Sequence, residues 1–402
     1  MTRGRTELRF CALVLIALSF SAFAEDMPWN DIVAKARGQA VNFNAWAGDE
    51  KTNAFIAWVG TEVGQRYGIK LRQVKLRDTA EAVTRVVAEK AAGRDALGMV
   101  DLIWLNGPNF LALKAEHLLY GPFSAKLPNY RYVDTTHIRS NVVDFTIPLD
   151  GFAAPWRRAQ IVFVYDGARI SDVPHSMAQL LAWAKRHPGR TTHPSVRNFL
   201  GATFLKQALY ELAPDAQQLQ EPATDANFAV QTAPLWVWYE QLRPLLWRHG
   251  EQFPDNGPAQ RQLVNDGEID MMISFSPAEA AVAQAAEQLP SSVRTVVFDG
   301  GTIGNTSFVA IPYNAAHKEG AMVVANFLLE PSTQARAQDY REIGAFTVLD
   351  VDALPRADRA LFDELPRHPA LPTNADLRTP LPEPHPSWMT KIAAQWERRY
   401  TK

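Results

Sequence analysis

From Val41 to Ala45 apolar and polar side chains alternate, the two-residue period of a strand with one buried face. Trp46, Ala47, Gly48 and Asp49 break that period with a small, polar and aromatic turn. From about Thr52 the residues Phe55, Ile56, Val59 and Val63 recur at helical spacing as far as Tyr67 and Gly68. A second strand follows over 69–76, then a helix from about 80 to 93 introduced by Asp78-Thr79. The near-continuous apolar run 100–105 has the character of a strand buried on both faces. It empties into Asn106, Gly107, Pro108 and Asn109, with the proline suited to the first turn of a helix. Three successive strand–helix units predict a parallel sheet with right-handed crossovers.

Past a loop-rich stretch at 120–134, the pattern predicts strands over 142–148, 160–165, 269–275, 294–298 and 307–312. Helices are expected over 176–187, after a short loop within 198–212, over 235–249 with a kink at Pro244, over 258–266 and over 315–329. Ser276-Pro277 and Ser332 read as the starts of further helices. Trp236, Trp238, Tyr239 and Trp247 fit a core better than a cofactor site. After Gly344 the chain turns proline-rich, then ends with Trp388, Ile392 and Trp396 at helical spacing, which predicts an ordered strap and not a disordered tail.

Composition narrows the setting. Arg3, Arg5 and Arg9 precede an apolar run over 10–20 that closes on Ser21, Ala22, Phe23 and Ala24, the layout of a secretory signal peptide cut after Ala24. The run is too short for a transmembrane anchor. The single cysteine, Cys11, lies inside it, so the exported chain has no thiol for a disulfide, a thiolate metal site or a nucleophile. The formal net charge of −2 becomes more negative once that arginine-rich segment is gone, which excludes a basic nucleic-acid surface. The length suits two lobes better than one.

No nucleophile elbow, zinc-protease helix or Walker loop is present, and Gly300, Gly301 and Gly304 do not have dinucleotide-fingerprint spacing. The histidines are scattered, so neither a metal nor a cofactor is expected. What recurs is the chemistry of strand ends: Trp46 and Asp49 after the first strand, Asp78 after the second, Trp104, Asn106 and Asn109 around the third, Phe275 and Ser276 near a later one. Aromatic faces beside amides and carboxylates describe a small-molecule pocket. Trp156 and Phe199 add further aromatic surface, and Asn305 sits at an expected chain crossing. The turns at 46–49 and 106–109 lack Lys and Arg, so the expected ligand is a flat or quaternary organic cation, a thiamine-like heteroaromatic or a polyamine-like amine.

Two longer stretches carry a resemblance. PWRRAQIVFVYDGARISDVPHSMAQLLAWA, with Tyr165-Asp166, Pro174, Ser176 and Leu180, resembles the lobe-crossing strand and following helix of extracellular solute-binding proteins of ABC importers. GNTSFVAIPYNAAHKEGAMVVANFLLEPSTQARA, from Gly304 to Ala337, is similar to their return crossover. With NAWAGD, DLIWLNGPNF and LPEPHPSW, the chain resembles the YnjB-like branch of family 1 of these proteins. The resemblance implies a type II periplasmic-binding-protein fold, two α/β lobes with a ligand cleft between them. It also implies a periplasmic, non-enzymatic monomer that captures a small solute and delivers it to an ABC permease. Lobe 1 is expected at 25–154 plus 304–350, lobe 2 at 155–301, and a strap at 351–402 packed on lobe 2, with crossings at Pro155-Trp156 and Gly304-Asn305. A secreted enzyme on the same lobes is the alternative, which no catalytic motif supports.

Overall fold

The computed structural model describes residues 27–401, so the expected signal peptide and Cys11 lie outside the described residues. Strand β1 (Ala40–Trp46) buries Val41, Phe43 and Ala45, as its alternation requires. It pairs in parallel with β2 (Lys70–Leu76) on one side and β3 (Leu102–Leu105) on the other. The helix Glu50–Tyr67 makes the first crossover. Asp49 caps its start, and Gly68 at φ 69° ends it in the left-handed conformation that glycine takes without strain.

Where one strand was expected over 142–148, the chain folds into a tight hairpin, β4 (Val143–Asp144) and β5 (Ile147–Pro148). Phe145 turns it with φ 56°. The following stretch is the larger departure. Strand β6 (Ala153–Gln160) begins well before the expected start at 160 and runs through Ile161 into β7 (Val162–Asp166). Pro155 and the run Arg157-Arg158 hid it, because neither alternates. β8 (Met271–Ser274) and β9 (Val293–Val296) flank β7, both antiparallel, and β10 (Gly304–Ala310) returns beside β6.

The molecule therefore holds two principal sheets, β2-β1-β3-β10-β6 and β8-β7-β9. The chain passes between them at Ile161 and again over 297–303. Pro155-Trp156 and Gly304-Asn305, the expected crossings, lie inside strands of the first sheet, where Gly304 pairs with Gln160 and Ala310 with Ala153. Apolar clusters on the faces of each sheet make two cores, one around Phe43, Phe55 and Trp156, the other around Phe163, Trp183 and Trp388.

Several helix boundaries also differ. The Trp-rich helix is Asp225–Leu242, started by the Thr224 side chain, and it accommodates Pro234. Pro244 does not kink it but sits in the 3-10 turn that follows, since the ring cannot continue the α-helical hydrogen bonds. Glu330, not Ser332, occupies the N-cap of the helix Pro331–Gln338, and the helix after Ser276-Pro277 starts at Glu279.

The proline-rich tail is a third passage between the sheets. Its helix Arg356–Asp363 packs beside the first core through Phe362, and the last helix, Pro386–Tyr400, inserts Trp388, Ile392 and Trp396 into the second. Between them, Leu381 accepts from the Gly304 N–H and donates to the Thr302 carbonyl, both at 2.9 Å, so the tail adds a rung beside the crossing. Next to it lies a fully buried ion pair, Lys206 Nζ to Glu383 Oε2 at 2.5 Å, with Asn305 Nδ2 donating to the other carboxylate oxygen at 2.8 Å. Asp144 faces the same pocket of charge. Burial pushes its carboxyl well above the usual range, the Gly107 N–H and Lys206 opposing and Glu383 adding to the rise.

Two outcomes follow for stability. Trp388 is fully buried, and its Nε1 donates to the Glu221 carbonyl at 2.8 Å. Trp388→Ala should cost about 3–5 kcal/mol in urea unfolding. For Asp144, a folded pKa above the unfolded value gives a contribution that is full below about pH 3.9 and is lost as pH rises. Asp144→Asn should thus be more stable than wild type at neutral pH, with the difference vanishing in acid, as urea midpoints across the pH range would show.

Candidate binding cleft

The strand ends of the first sheet and the helix starts packed around the second meet at a cavity of about 260 Å³. At the end of β1 the Trp46 indole lies over Gly48, where an added Cβ would stand 2.2 Å from the ring, so only glycine permits the fold-back. Asp49 closes the turn. Its Oδ2 accepts from the Thr52 N–H at 2.8 Å and the Thr52 hydroxyl at 2.6 Å. Trp104, on β3, meets Trp46 edge-on with centroids 6.4 Å apart. On the opposite wall Phe199 opens a helix capped by Asn198, and Phe275 follows β8; their rings are 5.8 Å apart. Two indoles from the first sheet and two phenyl rings from around the second thus line the same cavity.

Trp46, Asp49, Asp78, Trp104, Asn106, Asn109, Phe199, Phe275 and Ser276 all line this one cavity. Trp156 and Asn305, also singled out in the sequence, do not. Trp156 is fully buried, stacked on Phe55 and edge-on to Trp104, so it is the floor beneath the cavity wall. Asn305 points away toward Glu383 and belongs to the crossing.

Arg77, Arg157, Arg261 and Glu279, which no pattern in the sequence singled out, join the wall. Arg157 follows from the unread strand. Ser307 pairs with Arg157 but Phe308 with Pro155, which leaves Trp156 as the extra residue of a β-bulge. Bulges re-aim side chains, and this one sends Arg157 into the cleft. Its guanidinium sits 4.3 Å from the Trp104 ring centroid and 4.9 Å from that of Trp156. Nε is buried without an acceptor, and burial lowers the pKa to about 10 against a weaker opposing pull from Asp49. Arg261 is differently placed. It pairs with Glu279 at 3.0 Å and reaches Asp49, on the other wall, at 4.0 Å.

The expectation of a cationic ligand came from the turns at 46–49 and 106–109, which lack Lys and Arg; the arginines reach the cleft from other elements. Asp49 and Glu279 share Arg261, the second Glu279 oxygen accepts from the Ser274 hydroxyl at 3.0 Å, and Asp78 accepts from the Ala80 N–H at 2.8 Å. The acids each have a partner, whereas neither Arg77 nor Arg157 has a side-chain hydrogen bond or ion pair among the described residues. Among the described residues, no group of three His, Cys, Asp or Glu side chains is arranged to hold a metal ion, and no helix is long and apolar enough to cross a membrane.

Residues 58–358 match the family model described as bacterial extracellular solute-binding protein. The chain is 40% identical over 396 residues to protein YnjB of Escherichia coli (strain K12), covering 98% of this chain and 99% of that one. Among solved structures it is similar to the periplasmic binding protein AfuA from Actinobacillus pleuropneumoniae, at TM-score 0.62 and 13% identity over 90% of this chain and 98% of that one. It is also similar to the spermidine/putrescine ABC transporter substrate-binding protein PotD from Streptococcus pneumoniae, at TM-score 0.60 and 16% identity over 90% and 100%. Iron-bound HitA from Pseudomonas aeruginosa gives TM-score 0.61 and 15% identity over 90% and 99%. All share the two-lobed type II fold.

The double role of Asp49 can be separated by substitution. Asp49→Ala removes the helix cap and should cost about 1 kcal/mol in urea unfolding, whereas Asp49→Asn keeps a capping oxygen and should cost much less. Equal losses would mean that the Arg261 contact, not the cap, dominates.

Proposed function

Since the chain belongs to the bacterial extracellular solute-binding proteins, the binding components of ABC transporters, we propose that it takes a small flat solute between its lobes and hands it to a membrane permease. The observation that carries this reading is the aromatic lining of one cavity, Trp46 and Trp104 from the first sheet and Phe199 and Phe275 from around the second. A ring slotted between them removes apolar surface on both sides from water and gains stacking that a linear solute cannot. Of the structural neighbours, AfuA has fructose-6-phosphate bound, HitA has iron bound and PotD is named for spermidine and putrescine, so the shared fold leaves the cargo open.

The hinge we assign is Ile161 with residues 301–303. The Ile161 N–H donates to the Ile303 carbonyl at 2.8 Å, and Gln207 brackets the return strand by accepting from the Ile303 N–H at 2.9 Å. Small backbone rotations at such element ends swing whole lobes while each core stays packed. Asp49 and Arg261, 4.0 Å apart on opposite walls, would shorten their contact on closure. A permease that reads only the closed form then ignores empty protein. Export itself is assigned to cleavage after Ala24.

Three outcomes test this reading. Protein purified gently from periplasm should begin at Glu25 by N-terminal sequencing. Native mass spectrometry should find a small molecule bound to it, and Trp46→Ala should weaken retention at least tenfold, about 1.4 kcal/mol. Solution scattering should show a smaller radius with that molecule than after its removal by unfolding and refolding; an unchanged radius contradicts lobe closure.

A further inference from the structure

We propose that Arg157 anchors an oxyanion of the solute, a carboxylate or a phosphoryl group, so that the cargo is a flat acid. The inference rests on the cleft described above as the solute site and names what that site selects.

Charge accounting comes first. Of the charged groups on the cleft wall, Arg261, Asp49, Glu279 and Asp78 each have a protein partner, while Arg77 is exposed and its side chain makes no hydrogen bond or ion pair among the described residues. Arg157 has ring contacts and a longer-range attraction to Asp49, but no side-chain hydrogen bond or ion pair among those residues. Its guanidinium lies over Trp104 at 4.3 Å and Trp156 at 4.9 Å, and its buried Nε has no acceptor. Contact with an indole ring engages none of a guanidinium's N–H groups, which radiate in its plane. A half-buried guanidinium held against two indoles, with a buried Nε left without an acceptor, is suited to binding a planar or tetrahedral oxyanion through two parallel hydrogen bonds.

The backbone field has the same sign. The helices Glu50–Tyr67, Pro108–Ala115, Phe199–Leu212 and Gly257–Asn265 begin at the cavity, their first turns contributing Thr52, Asn109, Leu200 and Pro258 to its wall. Each directs the positive end of its dipole inward, from both lobes. Ser307, paired with Arg157 in the sheet, lines the same wall and adds a hydroxyl donor beside the guanidinium. A cation placed there would meet these dipoles and Arg157, with every nearby carboxylate already engaged.

The test uses matched probes that share a ring and differ in charge: nicotinate against nicotinamide for a carboxylate, pyridoxal 5′-phosphate against pyridoxal and thiamine monophosphate against thiamine for a phosphoryl group. Affinities are read by indole fluorescence and thermal shift on wild type, Arg157→Gln, Arg157→Lys and Trp46→Ala, with circular dichroism confirming that each variant is folded. In at least one pair the acid should bind wild type tenfold or more tightly than its partner. Arg157→Gln should abolish that preference, Arg157→Lys restore part of it, and Trp46→Ala weaken both members while keeping it. The pair that shows the preference identifies the oxyanion. No preference for the acid in any pair, or a preference that survives Arg157→Gln, overturns the proposal. Failure of the cleft itself would look different: Trp46→Ala would leave the affinity of both members unchanged.

Discussion

The antiparallel pairing of β6 with β10 is the constraint on which the rest depends. Both strands lie in the first sheet from Ala153 to Gln160 and from Gly304 to Ala310, and both leave it at the same level, one through Ile161 and the other from 301–303. A pair of hydrogen-bonded strands resists twisting and sliding far better than two separate linkers, yet its ends remain free to bend. The two sheets are thus joined at one level by paired strands. The one irregularity in that pairing, the bulge at Trp156, lies beside the cleft. It places a tryptophan in the floor and the next residue, Arg157, in the wall.

Behind this pairing sits a second organising feature, the buried seam of Lys206, Glu383, Asn305 and Asp144. Lys206 comes from a helix of the second lobe, Glu383 from the tail, Asn305 from β10 and Asp144 from the hairpin on the first. Breaking one partner of a fully buried ion pair leaves an uncompensated charge, which costs far more than the pair itself contributes. The seam therefore fixes the tail beside the crossing more by penalising its departure than by stabilising its presence. The tail closes the structure at its hinge, and the Trp388 helix secures its far end in the second core.

Much of this was legible in the pattern of side chains, for physical reasons that can be named. Strands such as β1 and β3 announce themselves because one or both faces are buried, and helices such as Glu50–Tyr67 because a cap, an apolar stripe and a terminal glycine agree. Aromatic and amide residues at strand ends were conspicuous because a turn has no structural use for them, and Trp46, Trp104, Asn106, Asn109 and Phe275 line the one cavity. The arginines escaped. Arg157 lies in a strand whose bulge destroys the alternation that would have revealed it, and Arg261 lies on a helix face whose direction only tertiary packing decides. With them went the basic groups of the wall; the expectation of a cation rested on the turns at 46–49 and 106–109, which lack Lys and Arg. Trp156 erred in the other direction: a large aromatic beside a crossing has the same appearance in sequence whether it lines a cleft or supports one.

The most direct measurement is a crystal structure of the protein prepared from periplasm without denaturation. The account predicts density for a small molecule in contact with both lobes, its ring between the Trp46–Trp104 wall and the Phe199–Phe275 wall. An acceptor oxygen should lie within about 3.2 Å of the Arg157 guanidinium. Density for a solute held by one lobe alone, or seated in the cleft with a cationic group against Arg157, would contradict it.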